Sequence, residues 1–341
     1  MKLLIRVVLI LVVLLIVFVP IGITFTIGWR PFLGPRARPL TDRKFEATTA
    51  RLERGKYLVN GVVGCLYCHS EHDVTGEGAP AKVGREGAGV LFLQDPSLGT
   101  LYAGNITPDR ETGIGNWTDD QVTRSIREGI GGDGRALFPI MPYQNFRNLS
   151  DEDLASVIVY MRSIPAIRNA VPKTAINFPI NRLIMGVPEP ITGPVQDPEM
   201  SNPVARGKHI ATLASCADCH TPQDSRGQPL ENLAYAGGFV LDTYDGKKIV
   251  SANITTDASG IPYYNEAIFI QTIRTGQIGA RKINPTMPWG FYRNMSDDDL
   301  KSLFAFIGTL KPVRHNVDNS VEPTLCPLCG SKHGLGEKNH K

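Results

Sequence analysis

"CLYCHSEHD", residues 65–73, sets two cysteines three apart with a histidine directly behind the second, and the pattern returns as "CADCHTPQD" at residues 216–224. With 6 Cys and 7 His in 341 residues, chance supplies roughly 0.002 copies of C-x-x-C-H. Two copies therefore demand a chemical reason. A structural zinc site takes four ligands, usually from two pairs close in sequence, and these pairs lie 151 residues apart. A redox dithiol has no use for the histidine. Covalent c-type haem uses all three residues, because the thiols become thioethers on the porphyrin vinyl groups and the imidazole then lies under the iron. The sequence thus predicts two covalently bound haem c groups, one on Cys65 and Cys68, the other on Cys216 and Cys219, with His69 and His220 as iron ligands.

The chain repeats itself outward from these motifs. "RGKYLVNGVVGCLYCH" from Arg54 matches "RGKHIATLASCADCH" from Arg206, with one residue fewer in the second copy. "NITPD" at Asn105 matches "NITTD" at Asn253, and "SIREG" at Ser125 matches "TIRTG" at Thr272. "MPYQNFRNLSDEDL" at Met141 matches "MPWGFYRNMSDDDL" at Met287. The offset drifts from 151 to 146 residues, as small loop deletions between two copies of one domain produce. The copies are expected at 46–165 and 200–315, with a proline-rich linker at 166–199 where regular helix or strand is not expected.

Each copy reads as helices joined by long loops, an all-α pattern. A closing helix should follow Ser150 or Ser296, each an N-cap with an acid three residues later. Leu154, Val157, Ile158 and Met161, and in the second copy Leu300, Leu303, Phe304 and Ile307, recur at i, i+3, i+4, i+7 and form its core face. A middle helix should start near Thr118 or Asn265 and stop at Gly129 or Gly276. An opening helix should run into the haem motif itself.

An iron held only by its histidine binds outside ligands, whereas a second protein ligand closes it for electron transfer. Met141 and Met287 stand 72 and 67 residues after His69 and His220, each inside P-x-M-P, "PIMP" and "PTMP". Flanking prolines stiffen such a loop and suit it to present a thioether. A methionine buried in a turn is the plainer reading, and recurrence at matched positions favours ligation by both.

Val7 to Trp29 carries no charge over 23 residues, long enough to cross about 30 Å of hydrocarbon as a helix. It lacks an A-x-A-like cleavage site, so residues 1–29 read as a retained transmembrane anchor and 30–45 as a stiff spacer. Arg30, Arg36, Arg38, Arg43 and Lys44 outnumber Lys2 and Arg6, against the positive-inside expectation. Haem c attachment outvotes them and places the domains on the periplasmic side of a bacterial inner membrane, in a single pass. Residues 1–44 hold seven Lys or Arg and one Asp, a charge of +6, which leaves −3 for the rest of a chain whose total is +3. That mildly acidic remainder speaks against nucleic acid and suits docking to a basic redox partner.

The span from about 50 to 310 resembles the cytochrome c subunits of membrane-bound alcohol, aldehyde and gluconate dehydrogenases. "NITPDRETGIGNWTDDQVTRSIREGIGGDGRALFPIMPYQNF" is similar to that family's haem-domain signature, and "PKTAINFP" to its inter-domain strap. The resemblance implies class I cytochrome c domains, with His69 and His220 proximal and Met141 and Met287 distal. It also implies electrons arriving from a quinoprotein or flavoprotein dehydrogenase and leaving toward quinone or an oxidase. Those subunits carry three such domains where this chain has two, and the first motif reads "CHSE", with Glu71, where the second keeps the family's "CHTP".

The tail, 316–341, holds "CPLCG", in which Gly330 stands where a haem motif needs histidine and only 12 residues follow Cys329. A disulfide, free thiols, or metal binding with His333 or His340 all remain open for Cys326 and Cys329. His209 packs or faces solvent without a role, and His72 stands too near His69 to reach the opposite haem face. Asn105, Asn253, Trp117, Arg147 and Arg293 fit haem-edge contacts or ordinary loop packing equally. The leading expectation is a dihaem electron relay without substrate chemistry of its own; the alternative is a dihaem enzyme of peroxidase type, which needs an open iron.

Overall fold

The computed structural model describes residues 2–225 and 227–340. Helix accounts for about 37% of the chain. The first helix, Lys2–Phe25, has a mean hydropathy of 3.3 over its most apolar window and buries none of its residues. At 24 residues it is long and apolar enough to cross a membrane. It starts five residues earlier than the uncharged run and stops before Trp29, its last turn closed by the Thr24 and Thr26 hydroxyls on the Pro20 and Gly22 carbonyls at 2.8 and 2.6 Å.

Two halves with one order of elements come after it. Opening helices span Thr49–Gly61 and Pro203–Leu213, capped by the Thr48 and Asn202 side chains. Middle helices span Asp119–Glu128 and Glu266–Thr275, and end on Gly129 and Gly276 at φ 71° and 63°, the left-handed cap that the sequence predicts. Closing helices span Asp151–Ser163 and Asp297–Ile307, where the Ser150 and Ser296 hydroxyls accept the Asp153 and Asp299 amides at 3.1 Å.

Within each half the opening helix packs against the closing one at a glycine. A Cβ on Gly55 would lie 2.0 Å from the Ser156 carbonyl oxygen, and one on Gly207 1.8 Å from that of Ser302. The neighbouring arginine locks the crossing: Arg54 grips both Asp153 oxygens at 2.7 Å, and Arg206 Nε meets Asp299 at 2.6 Å. The recurring "RG" is therefore a helix-crossing device. Around it Leu58, Val59, Leu154, Val157, Ile158, Ile210, Leu213 and Leu300 are buried in one apolar cluster that continues through both halves. Each such side chain contributes about 1.5–3 kcal/mol.

Three expectations are corrected. The opening helix does not run into the haem motif; it stops at Gly61 or Leu213, and Gly64 (φ 64°) or Ser215 (φ 56°) in left-handed conformation turns the chain before the cysteines. Regular structure is not purely helical, because Val90–Asp95 pairs antiparallel with Gly99–Ala103, and Val240–Asp242 with Lys248–Val250. The Asp95 carboxylate closes the first of these turns by accepting the Ser97 and Leu98 amides at 2.8 Å. The linker also contributes a strand, Ala175–Ile176, lying between Pro172 and Pro179 and paired with Gly99–Thr100, and a one-turn helix at Ile180–Leu183.

The spacer is not a free stalk. Arg38 reaches both oxygens of buried Asp120 at 2.7 Å and Glu128 at 2.8 Å, and the Thr41 and Phe45 amides donate to Asp120 and Asp119. This clamp ties the segment that follows the Lys2–Phe25 helix to the first middle helix. Burial opposes ionisation of Asp120, but the Arg38 and Thr41 hydrogen bonds outweigh it and hold its carboxyl below the usual range. Burial raises Glu128, which gains its proton first as the pH falls.

Gly207→Ala should destabilise the protein by about 1–3 kcal/mol, since the overlap is with backbone, while Gly193→Ala, which meets nothing within 4 Å, should be neutral in the same denaturant titration. A depressed carboxylate contributes stability above its unfolded value near pH 3.9, and the contribution is lost as the pH falls through the lower native value. Hydrogen exchange over residues 36–45 should therefore show protection at neutral pH that wild type loses only below about pH 4. Arg38→Ala should lack that protection at every pH, with a loss of about 3 kcal/mol for the stranded carboxylates.

Candidate functional site

The two CxxCH segments form one-turn helices, Cys65–Cys68 and Cys216–His220. His69 Nδ1 lies 2.7 Å from the Gly104 carbonyl oxygen, and His220 Nδ1 2.8 Å from that of Ala252. A ring nitrogen facing a carbonyl carries the proton, so Nε2 keeps its lone pair for a metal. Burial pushes both imidazoles below their ordinary pKa, which keeps them neutral. The Gly89 and Gly237 amides in turn hold the His69 and His220 carbonyls at 2.8 Å, so both backbones are fixed identically.

Asn105 and Asn253 build the loop that presents each acceptor. Asn105 accepts the Thr107 amide at 2.9 Å and donates to the Ile167 carbonyl at 2.7 Å; Asn253 accepts from Thr255 at 2.9 Å and donates to Val313 at 2.8 Å. Both are buried. Both side chains spend their hydrogen bonds on holding this loop.

The four motif thiols are pushed up by burial, to about 12 at Cys65 and Cys216 and about 11 at Cys68 and Cys219. Such thiols stay uncharged, and a thioether, with no proton to lose, suits the same setting. Cys65, Cys216, Met141 and Met287 all border the main apolar cluster, as do Leu66 and Ile106. The methionine loops are superimposable in pattern. The Met141 amide donates to the Phe138 carbonyl at 3.1 Å and the Met287 amide to Asn284 at 3.0 Å, and Pro142 and Pro288 come next at φ −80° and −77° with ψ 49° in both. A donor set of two thiols, one lone-paired imidazole and an apolar surround with methionine fits a covalently held haem in each half.

The two motifs meet across the boundary between the halves. Tyr67, inside the first motif, shares a 2.8 Å hydroxyl hydrogen bond with Tyr244, and its ring lies 6.1 Å from that of Phe291, two residues beyond Trp289 in the second methionine loop. Phe291 stands 5.3 Å from Tyr292, whose hydroxyl donates to the Ala214 carbonyl at 2.6 Å, just before the second motif. On the other side, Asn145 of the first methionine loop donates to Ser215 and Asp218 of the second motif at 2.9 and 2.8 Å. Burial raises the Asp218 carboxyl despite that bond. Each methionine loop thus touches the opposite motif.

Other residues singled out in the sequence take lesser places. Both nitrogens of His72 lie on backbone carbonyls, of Ala79 at 2.6 Å and of Tyr67 at 2.8 Å, so it braces the first motif. Glu71 faces outward and pairs with Lys82. His209 is buried between the halves, and burial lowers its pKa. Arg147 donates to the Glu189 carbonyl at 3.0 Å, Arg293 lies over the Trp289 ring at 5.8 Å, and Trp117 packs flat against Gly132. The acceptors Gly104 and Ala252 escaped the sequence reading, although each immediately precedes the repeated "NIT" that could have located it. Tyr67, Phe291 and Asn145 carried no such signal, because the two copies differ there.

Residues 204–311 match the cytochrome c family. The fructose dehydrogenase cytochrome subunit of Gluconobacter japonicus is 31% identical over 262 residues, 73% of this chain and 50% of that protein. The gluconate 2-dehydrogenase cytochrome c subunit of Pantoea cypripedii is 33% identical over 287 residues, 78% of this chain and 60% of that one. A diheme cytochrome c-type protein of Cereibacter sphaeroides is 27% identical over 199 residues, 57% of this chain and 65% of its own. The chain spans about half to two thirds of the length of these relatives. It carries a cytochrome c domain at residues 204–311, and through most of its length it is similar to the cytochrome c subunits of dehydrogenases and to a diheme c-type cytochrome.

Proposed function

We propose that this protein is a membrane-anchored dihaem c-type cytochrome that relays electrons from a quinoprotein or flavoprotein dehydrogenase toward quinone or an oxidase. In this reading two tandem class I cytochrome c domains, at 46–165 and 200–315, stand on the periplasmic side of a bacterial inner membrane behind the Lys2–Phe25 helix. The observation that carries it is the duplicated CxxCH turn whose histidine is pinned through Nδ1, at 2.7 and 2.8 Å, with the two turns brought together across the half boundary. The similarity to dehydrogenase cytochrome subunits supports the donor class.

Haem c supplies reversible one-electron chemistry. Cys65, Cys68, Cys216 and Cys219 would hold it covalently, and His69 and His220 would offer Nε2 to the iron. Met141 and Met287 would supply the second protein ligand to each iron, which raises the potential relative to a second histidine. The chain's own residues otherwise exclude water and hold the ligands still: the Gly104 and Ala252 carbonyls orient the imidazoles, and the prolines stiffen the methionine loops. The net −3 outside residues 1–44 suits docking on a basic face of the partner.

Purified protein should carry two haems that survive denaturing electrophoresis. Replacing Cys65 and Cys68, or Cys216 and Cys219, with alanine should leave one, counted as pyridine haemochrome. A colourless wild-type band would end the proposal. Met141→His and Met287→His should each remove part of the sulfur-to-iron absorption band and lower one midpoint by on the order of 0.1 V or more. Unchanged bands and midpoints would show that these methionines do not bind iron, and a high-spin ferric signal in wild type would favour the peroxidase-type enzyme.

A further inference from the structure

His315, Cys326, Cys329 and His333 converge in a part of the chain that the haem reading leaves unused. Their ligand atoms all lie within 4.8 Å of one another. Cys326 Sγ stands 3.4 Å from His315 Nε2 and Cys329 Sγ 3.4 Å from His333 Nε2. With metal–sulfur bonds of about 2.3 Å and metal–nitrogen bonds of about 2.0–2.1 Å, a tetrahedron has sulfur–nitrogen edges of about 3.6 Å. Two of the four sulfur–nitrogen edges already have nearly that length. Their exposures are 0, 0, 6 and 0%, so no position is open to solvent or substrate. His315 Nδ1 lies 3.0 Å from the Ala236 carbonyl, which assigns its proton to that nitrogen and leaves Nε2 as the lone pair facing the cluster.

The internal repeat places His315 in the fold. "IRNAV" at 167–171 corresponds to "VRHNV" at 313–317, so His315 stands where the first half has Asn169. Asn105 donates to the Ile167 carbonyl and Asn253 to the Val313 carbonyl, the same contact in both halves. Asn169 Nδ2 donates to the Ala88 carbonyl at 2.8 Å, as His315 Nδ1 does to Ala236. The histidine keeps that structural bond and adds a second nitrogen aimed away from the loop. The tail supplies the other three ligands, on a hairpin whose strands Pro323–Leu325 and Lys332–Gly334 flank the "CPLCG" turn. Cys326 and Cys329 pack with Leu233 and Ala236, one residue before Gly237, whose amide holds the His220 carbonyl at 2.8 Å.

We propose that these four residues form a closed, structural Cys2His2 zinc site that staples the tail onto the loop beside the second CxxCH turn. Two thiolates with two neutral imidazoles in a tetrahedron select zinc over oxygen-preferring cations. The hairpin of Pro323–Leu325 and Lys332–Gly334 is short and packs through few apolar residues. The metal supplies the missing cross-link. Of the histidines considered with this pair, His333 is a ligand while exposed His340 is not, and His315, before the tail begins, completes the set.

Full-length protein, purified without chelator, should contain about one zinc per chain beside its haem iron by elemental analysis. At the zinc absorption edge, which iron does not disturb, the shell should resolve as two sulfurs at about 2.3 Å and two nitrogens at about 2.0–2.1 Å. His315→Asn, which restores the residue of the first half and its bond to the loop, should lower zinc retention after dialysis by about tenfold or more while haem content stays at wild-type level. Three results would overturn the site: haem-loaded wild type without zinc and with a Cys326–Cys329 disulfide in its unreduced peptide map, zinc in a shell without sulfur, or full zinc retention in His315→Asn. Should that variant fail to fold, the wild-type metal content and edge spectrum decide alone.

Discussion

The structure depends on one close approach made twice: the opening helix of each half lies backbone to backbone against the closing helix, at Gly55 on Ser156 and at Gly207 on Ser302. No side chain fits between them. That contact, together with the Arg54–Asp153 and Arg206–Asp299 pairs, sets where the opening helix ends and where the CxxCH turn leaves it. The acids that pair with these arginines are the same residues whose amides the Ser150 and Ser296 caps accept. Capping, crossing and motif placement are thus one mechanical unit, which explains why "RGK" and "LSDED" or "MSDDD" travel together in both copies.

The halves also complete one another. The Tyr57 hydroxyl donates to Asp299 of the other half, and Asn294 donates to the Asn60 carbonyl at 3.0 Å. The contacts at the motifs are less symmetric. Tyr67, His72, Tyr244 and Phe291 make an aromatic group beside the first motif, whereas the second meets Asn145 through Ser215 and the carboxylate of Asp218. Two sites with one ligand pattern therefore sit in different electrostatic surroundings. In an electron relay such a difference separates the potentials of the two stations.

The copies part company after their closing helices. In the first half the chain returns over the loop at Asn169, adds Ala175–Ile176 to a sheet and continues as the strap into the second half. In the second half it returns at His315 and ends in the hairpin that carries Cys326, Cys329 and His333. At one equivalent position the first half has Asn169 beside the connecting strap and the second half has His315 beside the hairpin.

Much of this was legible in the residues themselves. The CxxCH pairs, the duplicated segments, the Ser150 and Ser296 caps and the Gly129 and Gly276 stops are local signals, and each is enforced by chemistry within a few positions of itself. The docking of Arg38 on Asp120 and Glu128, the strand in a proline-rich linker, the carbonyls that face His69 and His220 and the meeting of His315 with Cys326, Cys329 and His333 were not legible. They join positions tens of residues apart, 82 between Arg38 and Asp120 and 79 between His315 and Ala236. Sequence by itself determined which chemistry the chain can carry, because thiols, imidazoles and caps act at fixed short spacing. Only the tertiary structure decided which of them meet, because that rests on two glycine crossings and a repeat interface that no single segment encodes.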